Sequence, residues 1–160
     1  MKRLLPCLCI AAATLSATSA ARAQSDPRVG TWVLNVAKSK YTPGPPPAAE
    51  VRRYAPASQA HALATSIESM DVAGHRVTLQ YTAGDDGKDY PMTGVPFADA
   101  VAIHRKGATT FEVDTKKNGK IIGTTQGEIS KDGRVLTLTS KTRTAAGQAV
   151  TNIAVYDKKQ

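Results

Sequence analysis

The stretch Gly30-Thr31-Trp32-Val33-Leu34-Asn35-Val36, continuing into Ala37-Lys38-Ser39-Lys40-Tyr41, holds the only tryptophan of the chain. Trp32, Leu34 and Val36 fall on one face of a period-2 pattern and Thr31, Val33 and Asn35 on the other, as a strand with one buried face requires. This predicts the first strand of a β-barrel, with Trp32 sealing its closed end. Most of the chain that follows alternates in the same way.

What precedes the stretch reads differently. Met1-Lys2-Arg3 is a short basic start, Leu4 to Ser16 is largely apolar, and Ala21-Arg22-Ala23 has the small-x-small form of a signal-peptidase site. Residues 1–23 are therefore expected to be a signal peptide and residues 24–160 a single domain, periplasmic or secreted. A membrane anchor is the competing reading, but Thr14, Ser16, Thr18 and Ser19 break up the roughly 20 apolar residues that an uninterrupted span needs. Cleavage would leave 137 of 160 residues and remove both cysteines, Cys7 and Cys9. Disulfides, thiolate metal sites and cysteine nucleophiles leave with them. Lys2, Arg3 and Arg22 go without any acid, so the net charge falls from +8 to +5. The remaining cations are scattered in runs of at most two, which reads as a solvated surface rather than a nucleic-acid footprint.

Thr42-Pro43-Gly44-Pro45-Pro46-Pro47 lacks amide donors at four of six positions, which excludes a helical lid at this point and predicts an extended connector. Strand candidates follow at Glu50 to Tyr54, Ala62 to Met70 and His75 to Thr82. A helix over His61 to Ile67 is the alternative for the alanine-rich second piece. Gly84 to Lys88 reads as a tight turn and Asp89 to Ala98 as an irregular segment. Five more candidates come in a row: Ala100 to Arg105, Thr109 to Lys116, Lys120 to Ser130, Arg134 to Arg143 and Ala149 to Asp157. Asn118-Gly119 and Asp132-Gly133 supply two-residue hairpin turns because both central positions tolerate positive φ. Lys106-Gly107-Ala108 and Ala145-Ala146-Gly147 supply longer ones.

No interval has room for a crossover helix, so the pairing must be antiparallel. The inward face is expected to carry Trp32, Leu34, Leu63, Ile67, Val77, Leu79, Val101, Ile103, Phe111, Val113, Ile122, Leu136, Leu138, Ile153 and Val155. A meander of this length removes its exposed edges by closing. The expectation is an all-β, antiparallel up-and-down barrel of about eight to ten strands.

Gly30-Thr31-Trp32-x-Leu34-Asn35-x-x-Lys38-Ser39-Lys40-Tyr41-x-Pro43-Gly44-Pro45 and Asp86-Gly87-Lys88-Asp89-Tyr90-Pro91-x-Thr93-Gly94 resemble an uncharacterised family of bacterial exported proteins, lipocalin-like and calycin-type in fold. Gly30-x-Trp32 is similar to the glycine-x-tryptophan signature of lipocalins, although the chain lacks their C-terminal helix and disulfide. The resemblance implies a barrel and no particular activity.

No motif carries catalysis. His61, His75 and His104 lie in separate segments without metal-ligand spacing, His104 is expected to face outward, and no serine sits in a nucleophile elbow. Asp85, Asp86 and Asp89 cluster near a glycine but lack the alternating oxygen ligands of a calcium loop and read as turn formers. A non-enzymatic protein without metal or cofactor is expected. An eight-stranded barrel is just wide enough to be filled by its own side chains or to hold one small ligand. The reading is a binding protein for a small apolar molecule, with Trp32, Tyr54, Tyr81 and Phe111 near the cavity and Tyr90 at its rim. A solid-cored structural or interaction domain of the envelope is the alternative. No nucleic acid and no membrane insertion after cleavage are expected, and the sequence names no protein partner.

Overall fold

The computed structural model describes residues 26–59, 61–143 and 147–160. The signal-peptide reading for residues 1–23, and Ala145-Ala146 of the last hairpin, lie outside them. Ten strands follow one another: β1 (Gly30–Leu34), β2 (Ala49–Pro56), β3 (Ala62–Met70), β4 (Arg76–Gly84), β5 (Asp86–Thr93), β6 (Ala100–Arg105), β7 (Thr110–Lys117), β8 (Lys120–Ile129), β9 (Val135–Arg143) and β10 (Ala149–Lys158). Each pairs antiparallel with the next, and β1 also pairs with β10, so the sheet closes on itself. The up-and-down barrel expected from the sequence is what the chain forms. Closure leaves no strand edge to pair with another molecule.

The tenth strand is the one the sequence did not suggest. Tyr90-Pro91-Met92, read as part of an irregular segment, belongs to β5. Pro91 cannot donate to a ladder. Accordingly β5 pairs with β4 only at Gln80↔Thr93 and Tyr81↔Met92, while on its other side Tyr90 and Pro91 are aligned with Val101 and Ala100 of β6. Gly94 then brings the chain hard against β4. Its φ is +96°, and a Cβ there would run into the Thr78 carbonyl oxygen and Leu79 Cα, so only glycine fits without movement.

β1 ends two residues earlier than expected. The Asn35 side chain accepts a hydrogen bond from the Lys38 amide and starts a 3-10 turn over Val36–Lys38, which leaves Val36 exposed rather than inward. The helical alternative at His61 to Ile67 is not formed, since Ala62–Met70 is β3.

Four other inward assignments also change. On β10 the inner face carries Ala154 and Tyr156, while Ile153 and Val155 are only partly buried. The aliphatic pair looked the better core, but Tyr156 has a polar partner inside, described below. Val77 is exposed near the start of β4. On β8 a register shift between Thr115 and Lys116 of β7 matches Thr115 to Gly123 and Lys116 to Ile121. Ile122 is the extra residue of this bulge. The inner face of β8 continues through Gly123, Thr125 and Ile129.

Side chains fill one end of the barrel. Trp32, Leu63, Phe111, Ile129, Leu136 and Tyr156 belong to a single cluster there. Gly127 makes room for it, because a Cβ would penetrate the Phe111 ring. A second cluster of Ile67, Tyr81, Ala83, Met92, Val101 and Ile103 lines the β3 to β6 side.

Candidate functional site

Arg28, just before β1, closes the filled end. Its side chain is 4 % exposed and spans Asp26 and Asp85, with Nη1 donating to Asp85 Oδ1 at 2.8 Å and Nη2 to Asp85 Oδ2 at 2.7 Å and Asp26 Oδ2 at 2.6 Å. Arg105 contributes further hydrogen bonds to both carboxylates. Burial alone would raise the Asp26 pKa, but the hydrogen bonds and charge of Arg28, with the charge of Arg105, hold it at about 2. The guanidinium lies 5.3 Å from the Phe111 ring centre. The Arg28 carbonyl accepts from Trp32 Nε1 at 2.8 Å, satisfying the one polar atom of a side chain with no exposed surface. Lys158 Nζ stands 4.9 Å from the indole. Trp32 thus sits beneath an ionic plug.

Beyond Trp32 the barrel is not filled. A cavity of about 480 Å³ runs along the inner faces of β2 to β10 and reaches the surface at Phe97, Ile122 and Arg143. One side is apolar, with Ile67, Leu79, Met92, Val101 and Val113. The opposite side presents Thr115, Thr125, Ser140, Thr142 and Asn152. Phe97, in the connection from β5 to β6, is 59 % exposed at the mouth.

Arg52 on β2 is the inner of the two cations on this cavity wall, Arg143 standing where it reaches the surface. Its Nε donates to Glu50 Oε1 at 2.7 Å, and the same oxygen accepts from the Tyr156 hydroxyl at 2.6 Å. The guanidinium carbon lies 5.1 Å from the Tyr156 ring centre. Burial alone would lower the Arg52 pKa, but Tyr156, Glu50, Tyr54 and Tyr81 around it hold it well above the ordinary arginine value. Burial, followed by the neighbouring Tyr54, pushes the Tyr81 phenol well up. At neutral pH the wall therefore offers a guanidinium and a protonated phenol, both hydrogen-bond donors.

Of the five residues expected near a ligand, Tyr54, Tyr81 and Phe111 border the cavity. Trp32 does not, being enclosed in the filled end. Tyr90 does not either. It lies within β5, half-buried against the second cluster, with its hydroxyl donating to Asp86 Oδ1 at 3.1 Å, and not at a rim. Phe97, three residues beyond Gly94, occupies the mouth instead.

Arg52 and Glu50 were missed, although a signal was present. Glu50-Val51-Arg52-Arg53-Tyr54 alternates, so an inward Tyr54 requires inward Arg52 and Glu50. Reading the cations as uniformly solvated concealed this. Arg28 gave no such sign, since no period governs the residues before a strand.

None of the three histidines borders the cavity. His75 is paired with Asp71 at 2.9 Å on the surface, and His104 lies 3.4 Å from Asp114. Ser140 Oγ is 2.9 Å from Thr125 Oγ1. Asp85, Asp86 and Asp89 diverge to different cations: the two arginines, Lys88 and Lys116 respectively. No protein-family model matches the chain, and no curated protein matches it.

Proposed function

We propose that this chain is an exported, non-enzymatic, lipocalin-like barrel that binds a small, largely apolar molecule in the cavity between Arg52 and Phe97. The observation that supports it is the cavity inside a closed barrel. Its volume, about 480 Å³, exceeds the roughly 300 Å³ at the lower end of small-molecule pockets. The mixture of an apolar wall with a few placed donors is what such pockets use for affinity and orientation. A larger depression of about 840 Å³ lies outside the filled end, lined by Ser58, Gln59, His61, Lys131 and Asp132 among others. It is a gap between loops outside the barrel wall, where Pro27, Val29, Pro56 and Leu63 border it together with those polar side chains.

The reading is tested by native mass spectrometry of protein purified from its own cell envelope. Adducts of discrete small mass are expected, and they should be lost when Val101→Trp fills the cavity. The mass of the chain itself should correspond to a start at Gln24. A bare mass in every charge state, together with no uptake of apolar probes by the purified protein, would leave a non-binding envelope domain as the better reading.

A further inference from the structure

We infer that the molecule held in the barrel is an apolar carboxylate, its carboxylate taken by the terminal nitrogens of Arg52 and its apolar body lying along Ile67, Leu79, Met92 and Val101. This rests on the binding function proposed above and adds the polar half of the ligand. The only hydrogen bond the Arg52 side chain makes to a described residue is through Nε, to Glu50. The side chain is 20 % exposed and borders the cavity, so the fork formed by its two terminal nitrogens is open to an incoming acceptor. A guanidinium matches a carboxylate in a planar, two-bond arrangement that a hydroxyl cannot reproduce.

The charge balance of the wall points the same way. Among the described residues, the cavity is bordered by two cations, Arg52 and Arg143, and by no carboxylate. Glu50 neutralises Arg52 from behind, which lowers the cost of keeping a cation inside the barrel when no ligand is bound. It also fixes the guanidinium plane through Nε, so little side-chain freedom remains to be lost on binding. The Tyr81 phenol, close to Arg52 and hydrogen-bonded with Thr65, remains protonated and adds no negative charge to the same region. Leu79, Met92 and Val101 carry no polar atom for a second head group, so the remainder of the ligand on that side must be apolar.

The test compares decanoate with decanol by calorimetric titration of the purified protein, each kept below the concentration at which it aggregates. Decanoate should bind roughly ten- to a hundredfold more tightly, the range of charge-assisted hydrogen bonds to a fixed fork. Arg52→Gln should abolish that preference, bringing decanoate down to about the affinity of decanol. The single variant leaves Glu50 without its cation, so Glu50→Gln/Arg52→Gln, which removes both charges together, carries the test if the single variant does not fold. Equal affinity for acid and alcohol, or a preference that survives in the double variant, overturns the carboxylate assignment and leaves the binding function standing. Binding of neither compound removes both.

Discussion

The two ends of this barrel treat the same interior differently. At the Arg28 end, bulky side chains meet at the axis and an ion network closes over them. At the Phe97 end, threonines, serine and glycine on β7 to β9 are too short to reach the opposite wall, and the space remains open. An eight-stranded barrel can do either, and ten strands widen the interior further. The difference is set by residue volume at equivalent inward positions: Phe111, Leu136 and Leu138 toward one end, Thr115, Ser140 and Thr142 toward the other. Stability should therefore concentrate at the filled end and ligand response at the open one.

The strongest test of that division is Trp32→Ala. Removing a fully buried indole with a satisfied N–H should cost about 3–5 kcal/mol, read from urea unfolding. A loss below about 0.5 kcal/mol, the size of a surface change, would mean that the filled end does not hold the barrel together. Arg28→Met comes next. It leaves the Asp26 and Asp85 carboxylates to the partly exposed Arg105 alone, and should cost about 2–4 kcal/mol by the cost of breaking a buried pair. An unchanged midpoint would show the network to be ornamental to the fold.

Acid should also act through the filled end. The Asp26 pKa is depressed to about 2 in the folded chain, against about 3.9 when unfolded. The stability it contributes is present above about pH 4 and is lost as the pH falls through about 2, amounting to at most about 2.6 kcal/mol. Asp26→Asn should flatten that part of the stability profile between about pH 4 and 2. A slope identical to that of the unaltered chain would remove Asp26 from this account. The smallest effect belongs to Phe97→Ala. With its ring mostly in solvent at the mouth, stability should change by no more than about 0.5 kcal/mol. Dissociation of a bound apolar probe, followed by stopped-flow fluorescence, should nevertheless be several times faster. Large destabilisation without any change in dissociation would reverse the roles assigned to the two ends.

How much of this could be read in advance differs along the chain. The β6 to β9 hairpins were legible because Asn118-Gly119 and simple alternation say the same thing locally; at Asp132-Gly133 the turn came where expected but is longer, with only Gly133 at positive φ and the Ser130 amide bonded to the Val135 carbonyl. β5 was not legible. Pro91 argues against a strand, and it is tolerated because the β4 ladder of β5 is confined to Met92 and Thr93, just beyond it. The parity of β10 misled for a similar reason. Ile153 and Val155 look more core-like than Ala154 and Tyr156, until Glu50, distant in sequence, provides the Tyr156 hydroxyl with an acceptor.

Tyr54, Tyr81 and Phe111 could be placed near a cavity from strand alternation alone, since period 2 fixes which side chains share a face. What alternation cannot supply is height along the barrel axis and the partner across it. Those decided that Trp32 is packed away from the cavity, that Phe97 rather than Tyr90 stands at its mouth, and that Arg52 faces inward with Glu50 behind it. By itself the sequence determined an all-β meander that must close. The tertiary structure alone decided where the interior is filled and where it is open, because that depends on which residues of ten different strands meet at the same level.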